Sequence, residues 1–389
     1  MIKKNYLLIL LTILLLASCS KNDLTIDSLP VIDITKKYPE KEIILSRIAE
    51  IKYVHLDSRY DGYLYRGTIK YIAENSIVVN DVESGSILFF SKDGNPKSRF
   101  NRYGNGPEEY LEKMGSIVYD EETDDVFVSD SFNNNIQVYS SKGEYKRKLI
   151  LPYGVRESQM RSFDNQSLIM FDEGRMRNKA LQKKLERTTH MTDSSFFLIS
   201  KTDGQVLNYI PMSDSQNNLT IYSDRGNPMF LINTNIVKHA EGFLLCNPET
   251  DTVFLFSKTK ELTPIICKIP SVGKSEAKII LNNCIDVEKY QFMQAKAVGY
   301  GYWGDNNNDK YFVRDKKTGE VYQQKIVIPE FKGKKIVIYP GHSNSFHENG
   351  THIELDLMEL KLAYRENKLS GKLKELVATL NENEDNNVW

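Results

Sequence analysis

The sequence predicts an all-β chain folded as a six-bladed β-propeller with a C-terminal helical appendage. Three observations carry that expectation. A short polar turn recurs along the chain, strand-like apolar runs flank each copy, and 22 Tyr and 17 Phe enrich the 389 residues in aromatic side chains. Aromatic and β-branched residues suit the pleated, half-buried surface of a sheet.

The N-terminus comes first. Lys3 and Lys4 precede an apolar run over residues 6–16 that only Thr12 interrupts. Its 11 residues fall short of the roughly 20 that cross a bilayer as a helix. A basic start, a short apolar stretch and small residues before a cut form a signal peptide, expected here over residues 1–18. The segment Leu16-Ala17-Ser18-Cys19 resembles the lipobox of bacterial lipoproteins. That resemblance implies cleavage before Cys19 and lipid attachment to it, and each buried CH₂ of an acyl chain adds about 0.8 kcal/mol to anchoring. Residues 20–35 are polar with little periodicity, so residues 19–40 are expected to form a lipidated tether. The expected location is the cell envelope, anchored at the outer membrane, with the periplasmic and surface faces both open.

The repeat begins beyond the tether. It reads Phe89-Phe90-Ser91-Lys92-Asp93-Gly94, then Val138-Tyr139-Ser140-Ser141-Lys142-Gly143, then Leu198-Ile199-Ser200-Lys201-Thr202-Asp203-Gly204. A copy without its glycine is Leu255-Phe256-Ser257-Lys258-Thr259-Lys260, and a weaker one runs from Phe312 to Gly319. Between their last residues the offsets are 49, 61, 56 and 59. Strand-like runs precede the copies, such as those over residues 76–81, 125–130, 167–171 and 242–246. A period of this size with short strands and tight turns corresponds to a four-stranded propeller blade. The closing glycine fits, because a tight turn needs a residue that tolerates φ > 0. A sixth blade is expected from residues 51–56 and strands near residues 335–339, closing the ring and removing exposed sheet edges. The propeller is thus placed at residues 41–356.

Two segments resemble a known repeat. Gly104-Asn105-Gly106-Pro107-Glu108-Glu109-Tyr110 looks like the G-x-G-P-x-E-[FY] opening of an NHL-type repeat. The segment from Val128 to Tyr139 is similar to its continuation, V-x-D-x-x-N-x-R-I-Q-V-[FY], with Asn135 where the repeat has arginine. The whole arrangement resembles the six-bladed β-propeller lipoproteins of Gram-negative gut bacteria. The resemblance implies a fold and an address, and no reaction.

Past the repeats, Leu357, Leu360, Ala363, Leu369, Leu373, Leu376, Val377 and Leu380 follow helical spacing. One or two helices and a polar tail, residues 357–389, are expected to pack on the propeller, after a strand near residues 351–356 and with residues 381–387 as a solvated stop.

The formal net charge is −1, with Lys+Arg 51 against Asp+Glu 52, and no long basic block occurs. That argues against nucleic acid as a partner; the expected one is the membrane, through the lipid. Cys246 and Cys267 lie in apolar runs and, with Cys284, read as buried thiols rather than a disulfide framework.

No catalytic constellation stands out. His342, His347 and His352 are spaced by five, which matches neither a helix face nor a strand face, so they are weak metal candidates beside a reading as exposed loop histidines. G-x-S-x-G, a P-loop and a dinucleotide fingerprint are missing, and no cofactor is expected. The candidate ligand contacts are Arg102, Tyr103 and Glu109, in a loop that would reach one propeller mouth, and Trp303 in Gly301-Tyr302-Trp303-Gly304. The competing reading is that Gly104, Gly106 and Pro107 only shape the crossover, with Tyr110 as a packing anchor. The expected function is a non-enzymatic ligand-binding or scaffold lipoprotein that captures a glycan or peptide, or serves as a partner subunit of an outer-membrane complex. The alternative is an envelope hydrolase or lyase with a metal or acid pair in the channel.

Overall fold

Strands and turns alternate as the repeat predicts. The computed structural model describes residues 29–113, 115–152, 155, 157–172, 194–212, 221–222, 228–229, 236–247, 250–271, 278–298, 309–338, 350–381 and 385–389. Two short strands come first, β1 (Val31–Asp33) and β2 (Glu40–Ile44). The first sheet is an antiparallel meander of β3 (Gly67–Ile72), β4 (Ser76–Asp81), β5 (Ile87–Ser91) and β6 (Pro96–Phe100). The second contains β7 (Ile117–Asp120), β8 (Asp125–Asp130), β9 (Asn135–Tyr139) and β10 (Tyr145–Ile150). The third contains β11 (Glu157–Ser162), β12 (Ser167–Asp172), β13 (Phe196–Ser200) and β14 (Val206–Tyr209). A two-stranded piece, β15 (Ile221–Tyr222) with β16 (Pro228–Met229), follows.

The fourth meander is β17 (Ile236–His239), β18 (Gly242–Cys246), β19 (Thr252–Ser257) and β20 (Leu262–Ile269). The fifth is β21 (Lys278–Asp286), β22 (Tyr290–Val298), β23 (Lys310–Asp315) and β24 (Val321–Val327), with β25 (Lys335–Ile336) added to β24. Two helices, α1 (Leu357–Arg365) and α2 (Gly371–Thr379), end the regular structure. The chain is therefore all-β with few helices, and no described helix is long and apolar enough to cross a membrane.

Each copy of the recurring turn joins the third and fourth strands of one meander. The closing residues Gly94, Gly143, Gly204, Lys260 and Gly319 all have left-handed φ, between 65° and 85°. Lys260 takes the same conformation without a glycine, which explains how that copy keeps the turn. The Ser hydroxyl that opens four of the turns accepts backbone N–H groups within them, as at Ser91 and Ser140. In the fifth turn Asp315 Oδ1 does so, accepting from Lys317 and Thr318. The serine is therefore a turn cap, satisfying donors the reversal leaves open.

Steric demand at equivalent glycines differs. A Cβ on Gly94 would lie 1.9 Å from the His55 carbonyl oxygen, whereas one on Gly319 would meet nothing within 4 Å. Gly319→Ala is therefore expected to cost only the left-handed strain of about 1–2 kcal/mol, and Gly94→Ala clearly more, since backbone must move. Chemical unfolding of both variants checks this; equal losses would refute it.

The core runs from sheet to sheet. One apolar cluster joins the first three meanders around Phe89, Phe127, Tyr139 and Phe197, and others join the third to the fourth and the fourth to the fifth. The first strands adjoin in series, β3 against β7, β7 against β11, β11 against β17 and β17 against β21.

Three expectations change at the termini. The tether was expected to reach residue 40, yet β1 pairs in parallel with β20 and β2 with β24, covering the outer edges of the fourth and fifth sheets. The physical reason is that Ile32 and Ile34 are buried, apolar positions two apart on one strand face. Residues 335–336 pair with β24 and not with residues 51–56; His55 instead bridges to Val388, which also bridges to Leu355, the only pairing in the stretch read as a strand over residues 351–356. Nor is all of the tail a solvated stop. Asn386, Val388 and Trp389 are buried, and Trp389 exchanges backbone hydrogen bonds with Val54. The two helices do appear, with Leu357, Leu360, Ala363, Leu373 and Val377 turned inward.

Candidate functional site

Chemistry concentrates on the first strands of the first three meanders. In β3, Lys70 is the extra residue of a bulge between Ile69 and Tyr71. A bulge re-aims a side chain relative to the regular pleat. In β11 a second bulge lies between Glu157 and Gln159, and Glu157, Gln159 and Arg161 are all buried. From the crossover before β7 come Glu112 and Ser116.

These groups interact. Glu157 Oε1 accepts from Ser116 Oγ at 2.9 Å, and Oε2 accepts from Ser129 Oγ. Burial pushes the Glu157 carboxyl up to about 7; the two serine hydroxyls oppose the rise and the charge of Glu112 adds to it. Burial also brings Lys70 down to about 8, with Glu112 as the main opposing charge, and Arg161 down to about 10 against Glu157. Glu112 is held by the backbone N–H of Ser131 at 2.9 Å and by the Ser131 hydroxyl. The cluster thus contains the cations Lys70 and Arg161, the Glu112 side chain anchored on Ser131, and, in Glu157, one carboxyl poised to change protonation near neutral pH. Such an arrangement can bind an anionic group through Lys70 and Arg161, or exchange a proton at Glu157.

Sequence reasoning missed this cluster. Its signal was the alternation Glu157, Gln159, Arg161, a polar strand face where a solvent-exposed edge would be the ordinary reading, together with Lys70 between Ile69 and Tyr71.

The loop candidates do come together. Tyr110 N–H donates to the Arg102 carbonyl and Gly104 N–H to the Tyr110 carbonyl, closing the loop on itself. Glu109 Oε2 accepts from Gly106 N–H at 2.7 Å, and Arg102 Nε donates to the Gly143 carbonyl at 2.9 Å. Tyr110 is fully buried, donating to the Gly85 carbonyl at 2.6 Å. The polar ends of Arg102 and Glu109 therefore shape the crossover, while Tyr103 keeps an exposed ring with Lys113 Nζ 4.5 Å from its centroid. Trp303, His342, His347 and Cys19 lie outside the described residues. His352 packs edge-on against Trp389, ring centroids 5.4 Å apart. Among the described residues no group of three His, Cys, Asp or Glu is placed to hold a metal ion. Cys246 and Cys267 are thiols outside any disulfide; Cys246 is buried as expected, whereas Cys267 is only half-buried.

A concavity of about 350 Å³ lies where residues 52–59, the Gly94 turn and the end of α2 with Leu380 and Asp385 meet. Asp385 Oδ1 there accepts from Ser58 Oγ at 2.9 Å and lies 3.6 Å from His55 Nε2. Ser58 and His55 thus both flank the Asp385 carboxylate.

Residues 29–389 match a family model described as a domain of unknown function, DUF4934. The chain belongs to this family. None of the curated proteins matches it. The DUF4934 fold is similar to a solved structure of an exported protein from Bacteroides fragilis, at 16% identity and a TM-score of 0.59, covering 92% of this chain and 98% of that one. A member of the DUF4221 family from Bacteroides vulgatus matches at 11% identity and a TM-score of 0.43, covering 73% and 90%. BamB from Moraxella catarrhalis matches at 8% identity and 0.32, covering 70% and 62%.

Proposed function

We propose that this DUF4934 chain is a lipid-anchored cell-envelope propeller that binds a ligand without transforming it. Five meanders would be blades, and the terminal segments joined by the His55, Val388 and Leu355 bridges would occupy the sixth position. The supporting observation is the serial contact of first strands β3, β7, β11, β17 and β21, the order that lining a common channel requires. Lys70, Glu157 and Arg161 would then face that channel. The lipobox-like Cys19 and the exported Bacteroides fragilis protein of similar fold support the address. The proposed ligand is a glycan or peptide carrying a carboxylate, recognised by the Lys70 and Arg161 donors.

A soluble form starting at Ser20, screened on glycan and peptide arrays, is expected to retain carboxylate-bearing ligands. The double variant Lys70→Met and Arg161→Met, checked for an intact fold by its melting curve, is expected to lose at least tenfold in affinity. Silence on both arrays counts against the proposal.

One observation favours a second reading, an envelope hydrolase or lyase: Glu157, near 7, sits within electrostatic reach of Glu112. A paired acid and base of this kind can move protons at neutral pH. Cleavage of an array ligand by the wild type and not by Glu157→Gln would choose that reading.

A further inference from the structure

Three buried oxygens outside the ionic cluster point to a ligand of their own. Asp130 ends β8 and Asn135 begins β9, and the two are direct register partners. Gln137 stands two residues further on, on the same face of the sheet. All three are buried, at 0%, 5% and 1% exposure.

Their known hydrogen bonds fix which atoms remain. Asp130 Oδ2 accepts from Leu111 N–H at 3.2 Å and from Asn133 Nδ2 at 2.8 Å. Asn135 Nδ2 donates to the Asn133 carbonyl at 3.2 Å. Gln137 Nε2 donates to the Glu109 carbonyl at 3.1 Å and the Pro107 carbonyl at 3.4 Å. The amide nitrogens are thus committed to carbonyls, so what is left over is oxygen. Asp130 Oδ1, Asn135 Oδ1 and Gln137 Oε1 are each buried, and no donor among the described residues reaches them.

Leaving one buried acceptor unmet is costly, and leaving a carboxylate oxygen so is costlier. Three on one sheet face, under one crossover, call for a positive partner. A water offers two protons to three acceptors and leaves the Asp130 charge uncompensated. A divalent ion would bring one charge more than the single carboxylate balances, in a place closed to solvent. Oxygen-only ligands select a hard cation. We propose that a monovalent cation, sodium or potassium, binds Asp130, Asn135 and Gln137 and fixes the crossover over residues 107–111 to the second sheet. Asn135 stands where the repeat text has arginine, and a guanidinium at this position would bring its own donors to the two oxygens that remain, Asp130 Oδ1 and Gln137 Oε1.

The test is the thermal unfolding of the soluble chain in choline chloride, with sodium or potassium chloride substituted at constant ionic strength. A saturable rise in Tm of about 5 °C is expected with one of the two ions. Asp130→Asn, which keeps an acceptor for Leu111, is expected to lose the response. Asn135→Arg is expected to melt at the same temperature in all three salts. If Asp130→Asn does not fold, diffraction from crystals soaked in rubidium or thallium chloride supplies the second measurement, with an anomalous peak expected between the three oxygens. A wild type that melts identically in choline, sodium and potassium, or crystals without that peak, would show a buried water only and overturn the proposal.

Discussion

Removing the last four residues, Asn386 to Trp389, is expected to abolish the folded state, because this short tail holds the two ends of the chain together. Trp389 is 8% exposed, shares a core with Phe90 and Tyr63, and donates from Nε1 to Tyr65 Oη at 2.9 Å. Asn386 Nδ2 donates to the carbonyls of Leu56 and Tyr63 at 2.8 and 3.0 Å, and its Oδ1 accepts from Tyr65 N–H. Asn387 Oδ1 accepts from Leu357 N–H at 2.9 Å, beside the Asp356 cap on Glu359, so it also closes the N-terminus of α1. Val388 pairs with Leu355 and bridges to His55. Trp389→Ala alone should cost about 3–5 kcal/mol through the lost apolar contact and the cavity left behind. Asn386→Ala strips partners from two buried carbonyls, at about 1–3 kcal/mol each, and from the half-buried Tyr65 N–H. Whole-domain stability is only about 5–15 kcal/mol, so the deletion removes enough to unfold the chain. The yield and melting of the truncated chain measure this. A truncated protein melting within a few degrees of wild type would mean the tail is decoration.

The tail shows what a linear reading sees and what it loses. The recurring turn was legible because its conformation is set locally: a Ser or Asp cap and a residue at positive φ suffice, and even Lys260 kept the pattern. The helices were legible because Leu357, Leu360 and Ala363 encode one face by spacing alone. The tail's role was not, since Asn386 and Asn387 look like solvent-facing residues until the backbone they satisfy is known, 330 and 323 positions earlier for Asn386 and 30 for Asn387. The same applies at the other end, where Val31 and Ile32 gave a strand signal too brief to stand out from a tether. Of the candidate site, the crossover loop was found by its glycines, but the ionic cluster was not. Lys70 and Glu157 acquire their chemistry from burial on strands β3 and β11, which flank β7, and burial is the property that a sequence position does not carry.

Glu157→Gln is expected to stabilise the protein above pH 7 and to flatten its pH dependence. The folded-state value near 7 exceeds the ordinary 4.5 because burial disfavours the charge more than Ser116 and Ser129 compensate. Below pH 4.5 both folded and unfolded chains hold the proton, and the group's contribution is fully present. Between 4.5 and 7 the folded chain keeps a proton that the unfolded chain has released, so stability falls as pH rises. Each pH unit in that window removes about 1.4 kcal/mol, on the order of 3 kcal/mol by the time the folded group ionises. Gln keeps an acceptor for one serine hydroxyl and offers an amide donor to the other, without the buried charge. Urea midpoints of wild type and variant should therefore converge near pH 5 and separate toward pH 8, with the variant higher. A variant that reproduces the wild-type slope would place the titrating group elsewhere, and with it the proton that the hydrolase or lyase reading assigns to Glu157. Retained ligand affinity in that variant below pH 7, where the wild-type carboxyl is itself neutral, would be the matching signature of a binding site that uses Lys70 and Arg161 rather than the carboxylate.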